Sequence, residues 1–368
     1  VSKNNQIKYY KDGEDFFPDF LNDLKNAKKY IFLEYFIISN EGTMWTQILN
    51  ILKEKVKEGI EVRIMYDDMG CIPYLPENYP KYLESLNIKC TVFNKLKIYN
   101  GIFMNNRDHR KITVIDGKIA YTGGLNFSDE YINKLLRFGY WKDNAIKLEG
   151  DSVWNLTVMF LTLWNSYHKE DDNYLKFKTP SNKPIKPNGY ISCYGSVPLN
   201  GILEGEDIYL NIINKAIKYV YITTPYLIID TDMINALILA VKRGVDVKII
   251  IPGIPDKKIV YELTNSYAKN LVENGVKVFT YTPGFIHSKI FVSDDNKATV
   301  GTINLDYRSL YLHFENGVYL EDVNEIKDIY NDVKEIIKES HQLTKKDVTY
   351  NIYRRLWQSI LRFFAPFF

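Results

Sequence analysis

No run in this 368-residue sequence is apolar for the roughly 18 or more residues that a bilayer-spanning helix needs. The richest candidate, YIFLEYFII, is too short and carries Glu34. The opening residues do not read as a signal peptide, and none is expected. Cysteine is scarce as well. Cys71, Cys90 and Cys193 are odd in number and far apart, which excludes a disulfide framework and suggests reduced thiols in a cytoplasmic setting. Charge of one sign is also missing: the net charge of +2 argues against a polybasic nucleic-acid binder. No cluster of cysteines or carboxylates sits at metal-ligand spacing, so neither a metal nor another cofactor is expected. What is abundant is apolar and aromatic. A hydrophobic content of 46% can fill real cores, and 29 tyrosines suit a membrane interface.

Two stretches repeat one another. NNRDHRKITVIDGKIAYTGGLNFSDEY covers 105–131 and FIHSKIFVSDDNKATVGTINLDYRS covers 285–309. In each, a His is followed two residues later by Lys and five further on by Asp: His109, Lys111, Asp116 and His287, Lys289, Asp294. Each then runs through a Gly to an Asn at the same offset, Asn126 and Asn304. One His-x-Lys is weak evidence of function, because a half-buried strand often holds a satisfied His. Two matched copies make that reading improbable.

ITVID and IFVSD are β-branched and read as strands. Side chains at i and i+2 share a strand face, so each His is expected to point the same way as its Lys. If the copies face each other, two imidazoles and two ammoniums form a receptor for phosphate. One neutral imidazole can attack phosphorus and the other, protonated, can donate to the leaving oxygen. The lysines would stabilise the equatorial oxygens. Asp116 and Asp294 lie an odd number of residues from their His, hence on the opposite face, and structural turn roles are expected for them despite their place in the motif. The two Asn residues can donate amide hydrogens to phosphate, or act as turn residues.

These paired motifs, with GGLN and GTIN downstream, resemble the phospholipase D superfamily. IAYTGGLNFSDEY, YRSLYLHFENGVYL, LEYFI and TPYLI are similar to its bacterial cardiolipin synthase branch, over nearly the whole chain. The resemblance implies two similar α/β sandwich domains related by a pseudo-two-fold axis, with the site at their interface. It implies phosphatidyl transfer between two phosphatidylglycerol molecules, giving cardiolipin and glycerol through a phosphohistidine, with His109 as nucleophile and His287 as acid/base. It further implies action on anionic lipid at the cytoplasmic face of a bacterial membrane. A phospholipase D or phosphatidylserine synthase would use the same site with another acceptor. A superfamily nuclease or a non-catalytic lipid-binding module fits less well. Asp143 in WKDNAIKLEG and Glu315 in FENGVYLED occupy matching places, and by resemblance each binds the far nitrogen of a catalytic His. The chain opens with Val1, not Met, and relatives of the cardiolipin synthase type carry an N-terminal membrane hairpin, so residues are expected to be missing in front; the alternative is a naturally short form.

Along the chain, a helix is expected over 9–27 with Asp15 as cap, then the strand YIFLEYFII and a helix over 45–57 ending at Gly59. IEVRIMYDD and IKCTVFN are strands flanking a short helix near 82–86, and a helix covers 153–167. YVYITTPYLI, RGVDVKIIIPG and NGVKVFTYT repeat the order in the second half, and strands alternating with helices indicate α/β. The domains are read as 1–170 and 189–345, with a proline-bearing linker at 171–188 and a tail at 346–368. Extra residues in KLKIYNGIFMNNRD, just before His109, are placed to shape an entrance. Glu34 ends the opening strand, where α/β sites form. Arg308 suits either a second phosphate or a surface salt bridge. In the tail, Arg354, Arg355 and Arg362 among Trp357, Phe363 and Phe364 read as membrane contacts; the alternative is a terminal helix docked on the chain's own core.

Overall fold

The computed structural model describes residues 1–96, 104–171, 173–180, 189–198 and 200–367. In the first half the strands are β1 (Asn5–Tyr10), β2 (Tyr30–Tyr35), β3 (Glu61–Asp67), β4 (Lys89–Phe93), β5 (Ile112–Ile115), β6 (Ile119–Gly123), β7 (Tyr140–Lys142) and β8 (Ala145–Gly150). All but β7 form one sheet in the order β1-β8-β6-β5-β2-β3-β4. Its helices are α1 (Gly13–Lys25), α2 (Thr43–Lys57), α3 (Asp68–Cys71), α4 (Tyr79–Ser85) and α5 (Ser152–His168).

The second half repeats the plan. Its strands are β9 (Tyr190–Ser196), β10 (Tyr219–Thr223), β11 (Leu227–Ile228), β12 (Asp246–Pro252), β13 (Lys277–Tyr281), β14 (Gly284–Ile286), β15 (Ile290–Ser293), β16 (Lys297–Gly301), β17 (Leu305–Asp306), β18 (Glu315–Glu321) and β19 (Ser340–Gln342). The large sheet runs β9-β18-β16-β15-β10-β12-β13-β19, the first sheet's order with one added edge strand. Its helices are α6 (Glu204–Lys215), α7 (Thr231–Lys242), α8 (Lys258–Glu273), α9 (Ile326–Lys338) and α10 (Ile352–Phe363). Helices α5 and α9 lie between the sheets, and one continuous apolar cluster joins them, with Phe32, Phe160 and Trp164 from one half and Val292, Ile329 and Ile336 from the other. Separate outer cores lie under α1 and α2 and under α6, α7 and α8.

Two expectations need correction. The segment read as a helix from residue 9 begins as strand β1, because β8 takes up its backbone groups as far as Tyr10. The helix starts at Gly13, and its cap is Asp12, which accepts from Asp15 N at 2.8 Å, rather than Asp15. The start of the expected linker is anchored: Asp171 is buried against Arg63, and Phe177 packs on Tyr30. Residues 172 and 181–188 of it, and half of the stretch before His109, 97–103, lie outside the described residues.

Asp116 and Asp294 explain their own place in the repeat. Both have left-handed backbone, φ 55° and 52°. The Asp116 carboxylate accepts from the backbone N–H groups of Lys28, Lys29 and Tyr30 at 2.7–3.0 Å. The Asp294 carboxylate does the same for Ile217, Lys218 and Tyr219. Each clamps the hairpin turn onto the start of its half's opening strand. Replacing Asp116 with Ala is therefore expected to lower unfolding free energy by roughly 2–4 kcal/mol, from three orphaned donors and a lost turn preference. Chemical denaturation checks this; turnover per folded molecule should change far less than stability.

Candidate active site

The segment holding each His is stitched to the opposite half. His109 N donates to Phe314 O at 2.9 Å, and Phe314 N donates to Arg107 O at 2.8 Å. By the same plan β14 pairs in parallel with β7, and His287 N donates to Lys142 O at 2.7 Å. This pairing delivers each half's carboxylate to the other half's imidazole. His109 Nδ1 lies 2.9 and 3.0 Å from the two oxygens of Glu315, and His287 Nδ1 lies 2.6 Å from Asp143 Oδ2. Ionised Asp143 accepts only, so His287 Nδ1 carries the proton; with Glu315 ionised the same holds for His109, and both Nε2 lone pairs are then left for the cavity.

The second glycine of GGLN, which the other copy does not share, has a steric reason here. A Cβ on Gly124 would come 1.9 Å from Asp143 Oδ1. The second half has Thr302 at the matching place, and its hydroxyl donates to Glu315 instead. Both histidines are 7% exposed and face one cavity of about 620 Å³, lined by residues of both halves including Asn126, Asn304, Tyr131 and Trp141. Its size suits a lipid headgroup.

Lys111 and Lys289 do not line this cavity. Each is buried and donates to the backbone carbonyl of its own His, Lys111 at 2.6 Å. Burial, opposed by Glu315, brings the Lys111 ammonium down to about 7; burial, opposed by Asp143, brings Lys289 to about 8. Burial followed by the Lys289 charge lowers His287 to about 4, and burial followed by the Lys111 charge holds His109 well below its usual range. Both imidazoles are thus neutral at neutral pH. Burial opposes ionisation of Asp143, but its contact with His287 and the charge of Lys289 hold it below the usual carboxylate range. Burial drives Glu315 the other way, well above that range.

The remaining expected residues divide. Asn126 accepts from Ile37 N at 3.1 Å and donates to Tyr131 Oη at 2.7 Å, so one amide hydrogen stays available. Asn304 lines the cavity with a buried Oδ1 that has no partner among the described residues. Asp116 and Asp294, grouped with the catalytic motif by sequence, lie on backbone turns outside the cavity. Glu34 is fully buried against Arg110, 2.6 Å away, and does not line the cavity either.

Sequence reasoning missed His313. Its Nδ1 lies 3.6 Å from Glu315 Oε1, and its ring is 5.7 Å from that of His109. Its position two residues before Glu315 was the available signal. The matching residue in the first half is Trp141, whose ring lies 5.2 Å from that of His287. His109, His313 and Glu315 bring three ligand atoms within 4.8 Å of one another. As arranged they suit protons better than a cation. Arg308 Nε donates to His313 Nε2 at 3.3 Å, which leaves the hydrogen on Nδ1, and the Lys111 charge acts on the same cluster.

A family model described as "Cardiolipin synthase, PLD-like domain" matches residues 20–137 and 209–338, one match around each His motif. The chain belongs to this phospholipase D-like family. It is 41% identical over 350 residues to "Cardiolipin synthase 1" of Staphylococcus aureus strain COL, across 94% of this chain and 70% of that protein. It is 34% identical to "Cardiolipin synthase" of Alkalihalophilus pseudofirmus, across 100% of this chain and 73% of that one. Among solved structures, the phosphatidylserine synthase of Haemophilus influenzae superposes with a TM-score of 0.76 at 15% identity, covering 98% of this chain and 94% of that one; this likeness shows the fold.

This phospholipase D-like chain ends in a helix whose orientation corrects the sequence expectation. Arg354 pairs with Glu262 of α8 at 2.6 Å, and Arg362 donates to Ser266 O at 2.7 Å. These two arginines anchor α10 to the body instead of facing outward. Arg355 is exposed, as are Tyr353, Leu356, Trp357, Phe363 and Phe364. Arg354, Gln358, Leu361 and Arg362 face the protein while most of the apolar residues of α10 are turned to the surroundings, unlike an ordinary surface helix. No helix among the described residues is long and apolar enough to cross a membrane.

The lysine values set an expected pH profile. An ammonium is lost as pH rises through its pKa, and in the free enzyme these lie near 7 and 8. The quantity kcat/KM should therefore fall on the alkaline side between about pH 7 and 9, with the imidazoles adding no limb there. Activity that stays level to pH 10 would contradict this electrostatic arrangement.

Proposed function

We propose that this chain is a cardiolipin synthase, transferring a phosphatidyl group between two phosphatidylglycerol molecules. The observation that carries the reading is the pair of crossed His–carboxylate contacts opening on one cavity. The 34–41% identity to proteins named cardiolipin synthase supports the choice of reaction within the family. His109 Nε2 attacks phosphorus of the first lipid. The P–N bond forms as the P–O bond to glycerol breaks, and glycerol leaves with a proton from His287. Binding of the anionic phosphodiester favours that proton on His287. A hydroxyl of the second lipid then gives its proton to His287 and attacks phosphorus. The P–N bond breaks, cardiolipin is released and His109 is restored. Glu315 and Asp143 fix the tautomers and stabilise each imidazole as it becomes positive. Lys111 and Lys289, buried on the backbone carbonyls of their own histidines, offset charge on the phosphoryl oxygens through a weakly screened interior and not by contact.

This route needs no metal ion. The protein should convert labelled phosphatidylglycerol vesicles to cardiolipin and glycerol at a rate unchanged by excess chelator. Loss of activity in chelator, restored by a divalent ion, would overturn the metal-free route. Single-stranded DNA should not be cleaved, in keeping with a net charge of +2.

The outward apolar face of α10 supports attachment to an anionic membrane surface, on the cytoplasmic face of a bacterial cell. Exchanging Trp357 and Phe363 for Ser should weaken binding to phosphatidylglycerol vesicles by about tenfold or more, since buried apolar area sets interfacial affinity. Sedimentation with vesicles measures it, and hydrolysis of a short-chain soluble substrate should persist. Unchanged vesicle binding, with aggregation relieved, would instead make this face a protein contact.

A further inference from the structure

The two halves agree at their histidines and differ beside them. Counting on from Asn126 and Asn304, the fourth residue is Glu130 in the first half and Arg308 in the second, and both line the cavity. Glu130 is engaged by the Ser128 hydroxyl. Arg308 is half-buried and has no carboxylate partner among the described residues. This sets it apart from Arg63, Arg107 and Arg110, which are buried with Asp171, Asp67 and Glu34 beside them. Its Nε is held by His313 Nε2 at 3.3 Å, and its two terminal nitrogens have no protein acceptor among the described residues. Asp306 lines the same cavity and its charge acts on Arg308, but no ion pair joins the two among the described residues, and one Asp306 oxygen is engaged by Ser309 N at 2.8 Å. Lys257 lines the same side of the cavity, 5.5 Å from the Tyr226 ring and with no ion pair among the described residues.

A desolvated guanidinium with free planar donors is matched to an anion that presents two oxygens. Its place beside the reaction centre indicates which anion. His313 stands between it and His109, its ring 5.7 Å from that of His109 and its Nε2 3.3 Å from Arg308 Nε, and His109 and Arg308 line the same cavity. An acceptor whose glycerol hydroxyl meets phosphorus at His109 carries its own phosphate three carbons away, within that cavity.

We propose that Arg308, assisted by Lys257, binds the phosphodiester of the acceptor lipid while its glycerol hydroxyl attacks the phosphatidyl group on His109. The proposal rests on the phosphatidyl-transfer reading above. In the step it serves, the acceptor oxygen bonds to phosphorus, the P–Nε2 bond breaks and the hydroxyl proton passes to His287. Water and simple alcohols carry no such anion, so the subsite makes the second half the acceptor side. It favours transfer over hydrolysis by raising the occupancy of one particular nucleophile.

The test compares acceptors in the full chain. Labelled phosphatidylglycerol serves as donor, and the acceptors are phosphatidylglycerol in vesicles, soluble glycerol 3-phosphate and 1-butanol. Arg308→Gln should lower transfer to both phosphate-bearing acceptors by about tenfold or more relative to butanol, by weakening their apparent KM. Arg308→Lys should restore part of the ratio, and Lys257→Gln should shift it in the same direction by a smaller factor, which keeps the test usable if the first variant folds poorly. An equal fall for all three acceptors overturns the proposal, as does an unchanged ratio in both Arg308→Gln and Lys257→Gln. A loss confined to phosphatidylglycerol, with glycerol 3-phosphate unaffected, also overturns it, because the contact would then be to another part of the lipid. If the unaltered protein makes phosphatidic acid but no cardiolipin, the transfer reading itself fails and the subsite falls with it.

Discussion

Each imidazole in this protein is oriented by a carboxylate from the other half of the chain. The contacts His109–Glu315 and His287–Asp143 are short, dry and crossed, and much of the fold exists to hold them in register. A backbone bridge ties Asp108 to Phe314, and a parallel pairing ties β14 to β7, so each carboxylate arrives next to the strand segment that carries its partner. The shared core between the sheets fixes the halves as one body. Burying four ionisable side chains and two lysines beside them is costly. The cost shows in the depressed histidines and lysines and the raised Glu315. The same low-polarity setting that disfavours these charges strengthens their action on a phosphoryl group as it passes through.

Symmetry is kept where the chemistry needs two equivalent imidazoles and is broken where the substrates differ. Trp141 lies against His287, whereas His313 lies near His109 and touches Arg308. Gly124 leaves room for the shorter Asp143, and Thr302 hydrogen-bonds the longer Glu315. A transferase must hold donor and acceptor in distinct places, and a duplicated domain provides two sides that can diverge independently.

Much of this was legible in the residues. The matched offsets of His, Lys, Gly and Asn implied two copies of one domain, and strand parity separated Asp116 and Asp294 from the imidazole face. Other features depend on the meeting of the halves. Nothing in the spacing of Asp143 or Glu315 tells which His each one reaches, because that is decided by β7, β14 and the bridge at Phe314. His313 is a single His in a strand-like run, informative only once Glu315 is seen beside it. For α10, periodicity defined an apolar and a basic face but not which one the body takes; Glu262 and Ser266 on α8 decide that. Strand β1 was hidden because its pairing partner β8 is distant in sequence.

The central claim is that the crossed pairs turn one imidazole into a nucleophile toward phosphorus. The most direct measurement is acid-quenched trapping in a His287→Ala variant, with phosphatidylglycerol as acceptor and a phosphate-labelled phosphatidyl donor whose nitrophenol leaving group departs without the proton from His287, so that only the second step is slowed. Peptide mapping should find the phosphatidyl group bonded to His109. Label on another residue, or turnover to cardiolipin with no protein-bound label at any quench time, would contradict the account.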